Sequence, residues 1–223
     1  MHGFIQNKII NRIKQYGSNA AFVQFTRAIL RWLYKIERYI VFIIPDFKGC
    51  LYDDSYITLL TKERIEHAVT NGGLQASQAR LLNNFIKEGS KGICVEVDGQ
   101  LAGYGYIQFE GLYQFGQSGK LILPPHYAVA KNLFVFPKYR GYKLGQKLNA
   151  GRLALIPEGY TPVVFIIPEN QYAIRNWEQY GFQRVLSVKR WRWISGNWKM
   201  SIKRFSDRDE AITLEKALKE SNA

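Results

Sequence analysis

From residue 131 to residue 152 the chain carries six basic side chains, at 131, 138, 140, 143, 147 and 152, and no acidic one. Within that span, residues 133–148 read LFVFPKYRGYKLGQKL. An apolar and aromatic run is stopped by Pro137, and Leu144, Leu148, Leu153 and Leu155 then recur with helical character. Arg140, Gly141 and Gly145 fall in the turn between the two patterns. A strand that enters a helix through such a turn leaves successive backbone N–H groups unpaired, and the helix dipole adds about half a positive charge at the same place. Glycines let an anion approach the backbone closely. The chemistry predicted for this stretch is the cradling of a phosphate.

Other reactive side chains are scattered. The histidines are His2, His67 and His126 and the cysteines Cys50 and Cys94. They are too few and too widely spaced for a disulfide framework, a four-cysteine zinc site or a histidine-rich metal centre, so no metal is expected. Both cysteines sit in apolar surroundings and read as buried free thiols. Gly116-Gln117-Ser118-Gly119-Lys120 looks like a piece of a phosphate loop, but it lacks the four-residue gap between glycines. Leu121 also stands where a hydroxyl must hold magnesium. Gly103-Tyr104-Gly105 lies inside a strand-like run with no helix after it, which excludes a dinucleotide fingerprint.

The elements that must position the cradle follow from pattern. The strongest local signal is a pair of strand-like runs, 93–97 and 101–109, around Asp98-Gly99, the preferred type I′ hairpin turn. Helices are predicted at 62–71 and 76–87, a glycine-rich loop at 111–120, a strand at 127–136 and a helix at 141–156. A wholly apolar strand at 161–167 suits burial on both faces. A helix at 170–180 is closed by Gly181 in the manner of a C′ glycine. Strands at 39–44, 184–194 and 197–204 complete the set. The order predicts an α+β domain over 38–206, a sheet flanked by helices, followed by a polar, peripheral helical tail at 207–223.

The chain of 223 residues has 31 Lys+Arg against 18 Asp+Glu, a net charge of +13, with 47% hydrophobic and 22% charged residues. That is ordinary globular usage and excludes disorder as the main state. A balance this basic calls for an anionic partner: a phosphate-bearing cofactor, nucleic acid or an acidic membrane surface. Nucleic acid would rest on charge alone and is not expected. Residues 1–37 read as a basic amphipathic helical arm, with Ile5, Ile9, Ile10 and Ile13, then Phe22, Phe25, Ile29 and Leu30 beyond a break at Gly17-Ser18-Asn19. Such an arm either lies on an anionic membrane surface or packs its apolar face on the domain, and both readings stay open. The apolar stretch 39–45 is too short to span a bilayer, and residues 1–14 lack the apolar core of a secretory signal. A cytoplasmic protein, peripheral on the inner membrane face if the arm binds lipid, is the expectation.

The cradle resembles the signature of the GCN5-related N-acetyltransferase (GNAT) superfamily, in which Arg/Gln-x-x-Gly-x-Gly/Ala follows a strand ending in Val-x-Pro. Here Val135, Pro137, Arg140 and Gly145 fit, with Lys143 in place of the first signature glycine. A second family element, Asn-x-x-Ala-x-x-x-aromatic-x-x-x-Gly-Phe, matches Asn170, Ala173, Trp177, Gly181 and Phe182. The resemblance covers about residues 90–205. It implies a mixed, mostly antiparallel sheet whose central strands, here 127–136 and 161–167, splay apart to admit acetyl-CoA or another acyl-CoA as co-substrate, without a metal. Backbone amides near Leu133 and Val135 would then meet the pantetheine. Those of Arg140, Gly141, Tyr142, Lys143, Leu144 and Gly145 would meet the pyrophosphate. Asn170 would contact the pantetheine arm, with Trp177 beside it.

The activity implied is acetyl transfer to a primary amine of a small molecule by direct attack. This chain departs from the family at both proton-transfer positions: Lys131 stands where a glutamate base is common, and Trp177 where a tyrosine acid is common. Glu110 and His126 are the substitute bases and Tyr180 the substitute acid. Tyr104, Tyr106, Phe109, Tyr113 and Phe115 would suit a ring-bearing acceptor such as an amino sugar. The alternative is a non-catalytic module of the same fold that binds acyl-CoA and docks on a membrane or protein partner.

Overall fold

The computed structural model describes residues 33–50, 52, 56–194 and 196–222. The arm expected at 1–37 lies almost wholly outside the described residues. Its last part is not helical: strand β1 (Tyr34–Ile43) already begins there. Along it Ile36 and Arg38 are exposed while Lys35, Glu37 and Tyr39 are half-buried, the period of two of a pleated strand.

The chain divides into two compact units. The smaller takes residues up to Arg38 together with Lys189–Ser201. In it the buried Arg190 guanidinium donates to Glu37 at 2.8 Å and lies 4.6 Å from the centre of the Trp198 ring. The rings of Tyr34 and Trp193 meet at 5.0 Å.

The larger unit, Tyr39–Val188 with Ile202–Ala223, carries the cradle. After β1 the elements of the chain are, in order, β2 (Ile57–Leu59), α1 (Lys62–Thr70), α2 (Ala76–Lys87), β3 (Lys91–Val97), β4 (Gln100–Gln108), β5 (Leu112–Phe115), β6 (Gly119–Ile122), β7 (Tyr127–Val135), α3 (Leu144–Ala154), β8 (Thr161–Ile166), α4 (Gln171–Glu178), β9 (Gln183–Trp193), β10 (Lys199–Arg204) and α5 (Asp209–Ser221). Eight strands form one mixed, mostly antiparallel sheet in the order β10-β9-β1-β8-β7-β4-β3-β2, and β5 and β6 form a separate hairpin. The turn between β3 and β4 has Asp98 at φ 52° and Gly99 at φ 70°, as a type I′ turn requires. Gly181, at φ 85°, closes α4.

Side-chain alternation along the strands sorts the core into two layers. Tyr104 and Tyr106 of β4 pack with Leu82 of α2 and Ile65 of α1. Ile107, on the other face, packs with Leu153 of α3 and Trp177 of α4. Cys94 is buried in the first layer, where burial raises its thiol pKa, and Cys50 is half-buried; neither forms a disulfide.

Two expectations are corrected here. Residues 111–120 are not a loop: Tyr113, Phe115, Leu121 and Leu123 are buried at every second position, and this period folds the segment into the β5–β6 hairpin. Nor is the C-terminal helix peripheral. Ala211, Leu214 and Leu218 of α5 are fully buried, and this apolar stripe seats the helix against β6. Ser221 Oγ accepts from the Ile122 N–H at 2.9 Å. The Asn222 side chain accepts from the Lys120 N–H at 3.2 Å and donates to its carbonyl at 2.6 Å. Among the described residues no helix is long and apolar enough to cross a membrane.

Candidate active site

The centre of the sheet opens. β7 and β8 run parallel and pair only at Tyr127↔Thr161, Ala128↔Pro162 and Val129↔Val163. Beyond that point β7 continues to Val135 and β8 to Ile166 with no ladder between them. On its other side β7 is bulged. Tyr104 and Tyr106 of β4 face Phe134 and Lys131, so β7 carries one residue more than its partner there. Asn132, in the bulge, has φ 50°.

On the α3 face lies the cradle. After β7, Pro137–Tyr139 forms one 3-10 turn, and the Arg140 guanidinium donates back to the Val135 carbonyl at 3.2 Å. Gly141 has φ 93° and Lys143 φ 57°. The residue that replaces the signature glycine therefore adopts the left-handed backbone a glycine would supply. The backbone N–H groups of residues 141–145 have no acceptor among the described residues. A Cβ built on Gly145 would meet only Leu133 Cδ2, at 4.0 Å, so the space beside it is open. Left-handed backbone costs an L-residue roughly 1–2 kcal/mol. Lys143→Gly is accordingly expected to raise the unfolding free energy by about 1 kcal/mol, read from the midpoint of urea denaturation. An unchanged or lowered midpoint would mean the side chain stabilises the turn by more than the strain.

Behind the bulge, on the same face, stands Arg152. It is 2% exposed, and its side chain passes directly over Gly105, where a Cβ would lie 2.8 Å from Arg152 Cδ. Its guanidinium donates to the Lys131 carbonyl at 3.2 Å and to Asn149 Oδ1, and lies 5.1 Å from the centre of the Trp177 ring. Its Nε has no partner among the described residues. Burial pulls its pKa from the ordinary 12.5 down to about 9. Trp177 packs on Phe182 at 4.7 Å, and the Tyr180 hydroxyl donates to the Gln146 carbonyl at 2.9 Å, tying α4 to the first turn of α3.

On the α2 face a cavity of about 730 Å³ opens against the same gap, between α2, the end of β4, β5, the bulge of β7 and Phe165 of β8. Its buried polar side chains are Gln108 and Lys131. The Lys131 Nζ donates to Gln108 Oε1 at 2.7 Å and lies 4.6 Å from the centre of the Phe85 ring. Gln108 Nε2 in turn donates to the Glu110 carbonyl at 2.9 Å. Burial lowers the Lys131 pKa, and the charge of Glu88 partly opposes that.

The predicted site residues are thus divided between two faces. Arg140, Gly141, Tyr142, Lys143, Leu144 and Gly145 form the cradle, with Leu133 beside it; Val135 supplies the carbonyl that holds Arg140. Asn170 caps α4, its side chain accepting from the Ala173 N–H at 3.1 Å. Glu110 lines the cavity with Lys131. His126 does not: it precedes β7 at the end away from the bulge, exposed, with its ring 5.3 Å from that of Tyr160. Tyr180 and Trp177 belong to the α3–α4 layer rather than to the cavity. Of the five aromatics expected near the acceptor, only Tyr113 lines the cavity. Gln108, Asn132, Phe165 and Arg152 went unread in the sequence. A Gln at the end of an apolar strand and an Arg inside a leucine-spaced helix were the available signals.

A model of the acetyltransferase (GNAT) family matches residues 58–182, more than half of the chain. This chain belongs to the GNAT family. A GNAT-family structure from Novosphingobium aromaticivorans is similar to this GNAT protein at 18% identity and a TM-score of 0.52, over 77% of this chain and 66% of that one. The chain thus spans just under two thirds of that structure's length. A ribosomal-protein-alanine N-acetyltransferase from Brucella melitensis gives 19% identity and a TM-score of 0.41, over 57% and 83% of the two chains. A glucosamine-6-phosphate N-acetyltransferase from Arabidopsis thaliana gives 16% and 0.37, over 57% and 90%. At 18% identity the likeness to the Novosphingobium structure shows the fold alone. Curated protein sequences give no match. GNAT proteins as a class are acyl-CoA-dependent N-acyltransferases, and the cradle and splayed strands of this one fit that donor.

Proposed function

We propose that this GNAT protein transfers an acyl group, most simply acetyl, from acyl-CoA to the primary amine of a small molecule. The observation that carries this reading is the end of the β7–β8 ladder at Val129↔Val163, with the cradle on one side of the gap and the cavity on the other. The donor would lie on the α3 face, its diphosphate on the amides of residues 141–145 beside Lys138, Arg140, Lys143 and Lys147. The acceptor would enter from the α2 face.

When bound, the thioester supplies an activated acyl carbon. The chain's own residues then have three tasks. Backbone N–H groups near Leu133, freed by the bulge, stabilise negative charge on the acyl oxygen. Glu110, on the cavity wall, takes the proton of the amine, directly or through water. Phe165, Tyr113 and Phe85 exclude bulk water from the gap. No side-chain acid is assigned, because the Tyr180 hydroxyl is committed to the Gln146 carbonyl. A thiolate whose conjugate thiol titrates near 8.5 departs without one. Glu110→Gln is expected to lower turnover about 10²-fold with the affinity for acetyl-CoA unchanged. Parental turnover in this variant would remove Glu110 from the mechanism.

The departures at Lys131 and Trp177 favour a second reading, a non-catalytic module that binds acyl-CoA. Calorimetric titration with acetyl-CoA, followed by thiol release against a panel of amines, separates the two. Binding with turnover supports the enzyme, binding without turnover on any amine supports the module, and no binding overturns both.

A further inference from the structure

The cavity on the α2 face holds an ammonium that no carboxylate pairs with among the described residues. Lys131 is 9% exposed and is absent from every ion pair there. An ammonium has three N–H donors. Gln108 takes one at 2.7 Å, and Phe85 covers one side of the charge. What remains is directed to the cavity that Lys131 lines. Burial of such a charge is costly unless it is paired; Glu88 offsets part of that cost through space without a direct ion pair, which leaves the ammonium open to an anion in the cavity.

The surroundings make the same demand. From the opposite face Arg152, a second buried cation with no carboxylate partner among the described residues, holds the Lys131 carbonyl at 3.2 Å. Two buried cations therefore flank the bulge of β7. The cavity also carries acids, Glu88 at the end of α2 and Glu110 just beyond β4. Charges of both signs thus line one enclosed space, placed on different elements.

We infer that the acceptor is an amine that also carries an anionic group, a carboxylate or a phosphate, which Lys131 binds while Glu110 and Glu88 face the ammonium. This rests on the acyltransferase reading and deepens it. The transfer keeps its balance: the new N–C bond forms and the C–S bond breaks. The ammonium gives one proton to Glu110 and on to solvent before attack; the adduct loses a second as it collapses, and the sulfur departs with its electron pair and takes up a proton from solvent. Lys131 takes no part in the proton transfer; it is a specificity-determining residue.

The test compares acceptors that differ only in the anion. Phenethylamine is set against phenylalanine, and glucosamine against glucosamine 6-phosphate, with thiol release from acetyl-CoA as the readout. The anion-bearing member of one pair is expected to have a kcat/KM higher by about 10–100-fold, as a charge-assisted contact at a buried site gives. Which pair responds distinguishes carboxylate from phosphate. Lys131→Met should erase that preference through the KM of the anion-bearing member, and Lys131→Arg should keep part of it. Equal kcat/KM within both pairs, or a loss in Lys131→Met that falls on kcat for both members alike, overturns the proposal and leaves the acyltransferase standing. No thiol release with any amine, despite acetyl-CoA binding, overturns both.

Discussion

Gly145→Glu is expected to weaken acetyl-CoA binding at least ~100-fold, the loss of a charge-assisted contact compounded by like-charge repulsion. The same change should leave the fold intact. Gly145 is the second residue of α3, with helical backbone, and a side chain there meets only the tip of Leu133 at 4.0 Å. Glutamate is a far better helix former than glycine, by up to about 1 kcal/mol. An acid in the first turn also suits the helix dipole. Thermal stability should therefore hold or rise while binding disappears, a combination that general unfolding cannot produce. Calorimetry for binding and a melting curve for stability check the two halves. Undiminished binding in a folded variant would place the donor elsewhere.

Arg152→Met is expected to raise the unfolding free energy by about 1–3 kcal/mol, the range seen when an ill-compensated buried charge gives way to an apolar side chain of similar volume. The guanidinium is buried and, among the described residues, has no carboxylate partner and an unpaired Nε. Two hydrogen bonds and the Trp177 face repay only part of that cost. The gain in stability should come with a fall in turnover of about tenfold or more. The Lys131 carbonyl is held one residue ahead of the bulge, and misplacement of a reacting geometry by ~1 Å costs up to about 10²-fold. Denaturant unfolding and thiol release at saturating substrates are the measurements. A variant that is less stable and equally active would make Arg152 a structural anchor and nothing more.

The parts of this molecule that were legible in sequence are those set by local chemistry. Asp98-Gly99 can turn a hairpin on its own, Pro137 can stop a strand on its own, and Gly181 can close a helix on its own. The cradle belongs to this class, since amides at a helix start depend on the turn and not on the rest of the fold. Lys143 shows how far this goes: the wrong residue type still takes the backbone the position demands. What stayed hidden depends on partners distant in sequence. The period of two in Tyr113, Phe115, Leu121 and Leu123 was present but masked by the glycines and polar residues around it. The apolar stripe of Ala211, Leu214 and Leu218 was likewise masked by the charges of α5. Lys131 read as a departure from a family pattern because neither Gln108 nor Phe85, which give it a meaning, adjoins it in the chain. Only the sheet, by laying β7 beside β4 and under α2, converts an odd lysine into the floor of a cavity.

The side chains at the end of α5 have a consequence for self-association. A two-stranded ribbon is marginal by itself, and its outer edge offers unpaired backbone to any passing strand. Along β6 the Lys120 N–H and carbonyl and the Ile122 N–H are taken up by Asn222 and Ser221, which imitate one more strand without being one. The final turn of α5 thereby works as a stopper on an edge that would otherwise template aggregation, and it does so beside the strands that wall the cavity. Removing the Asn222 and Ser221 side chains together would leave the core of α5 untouched and would unseal that edge, turning a protected ribbon into an adhesive one.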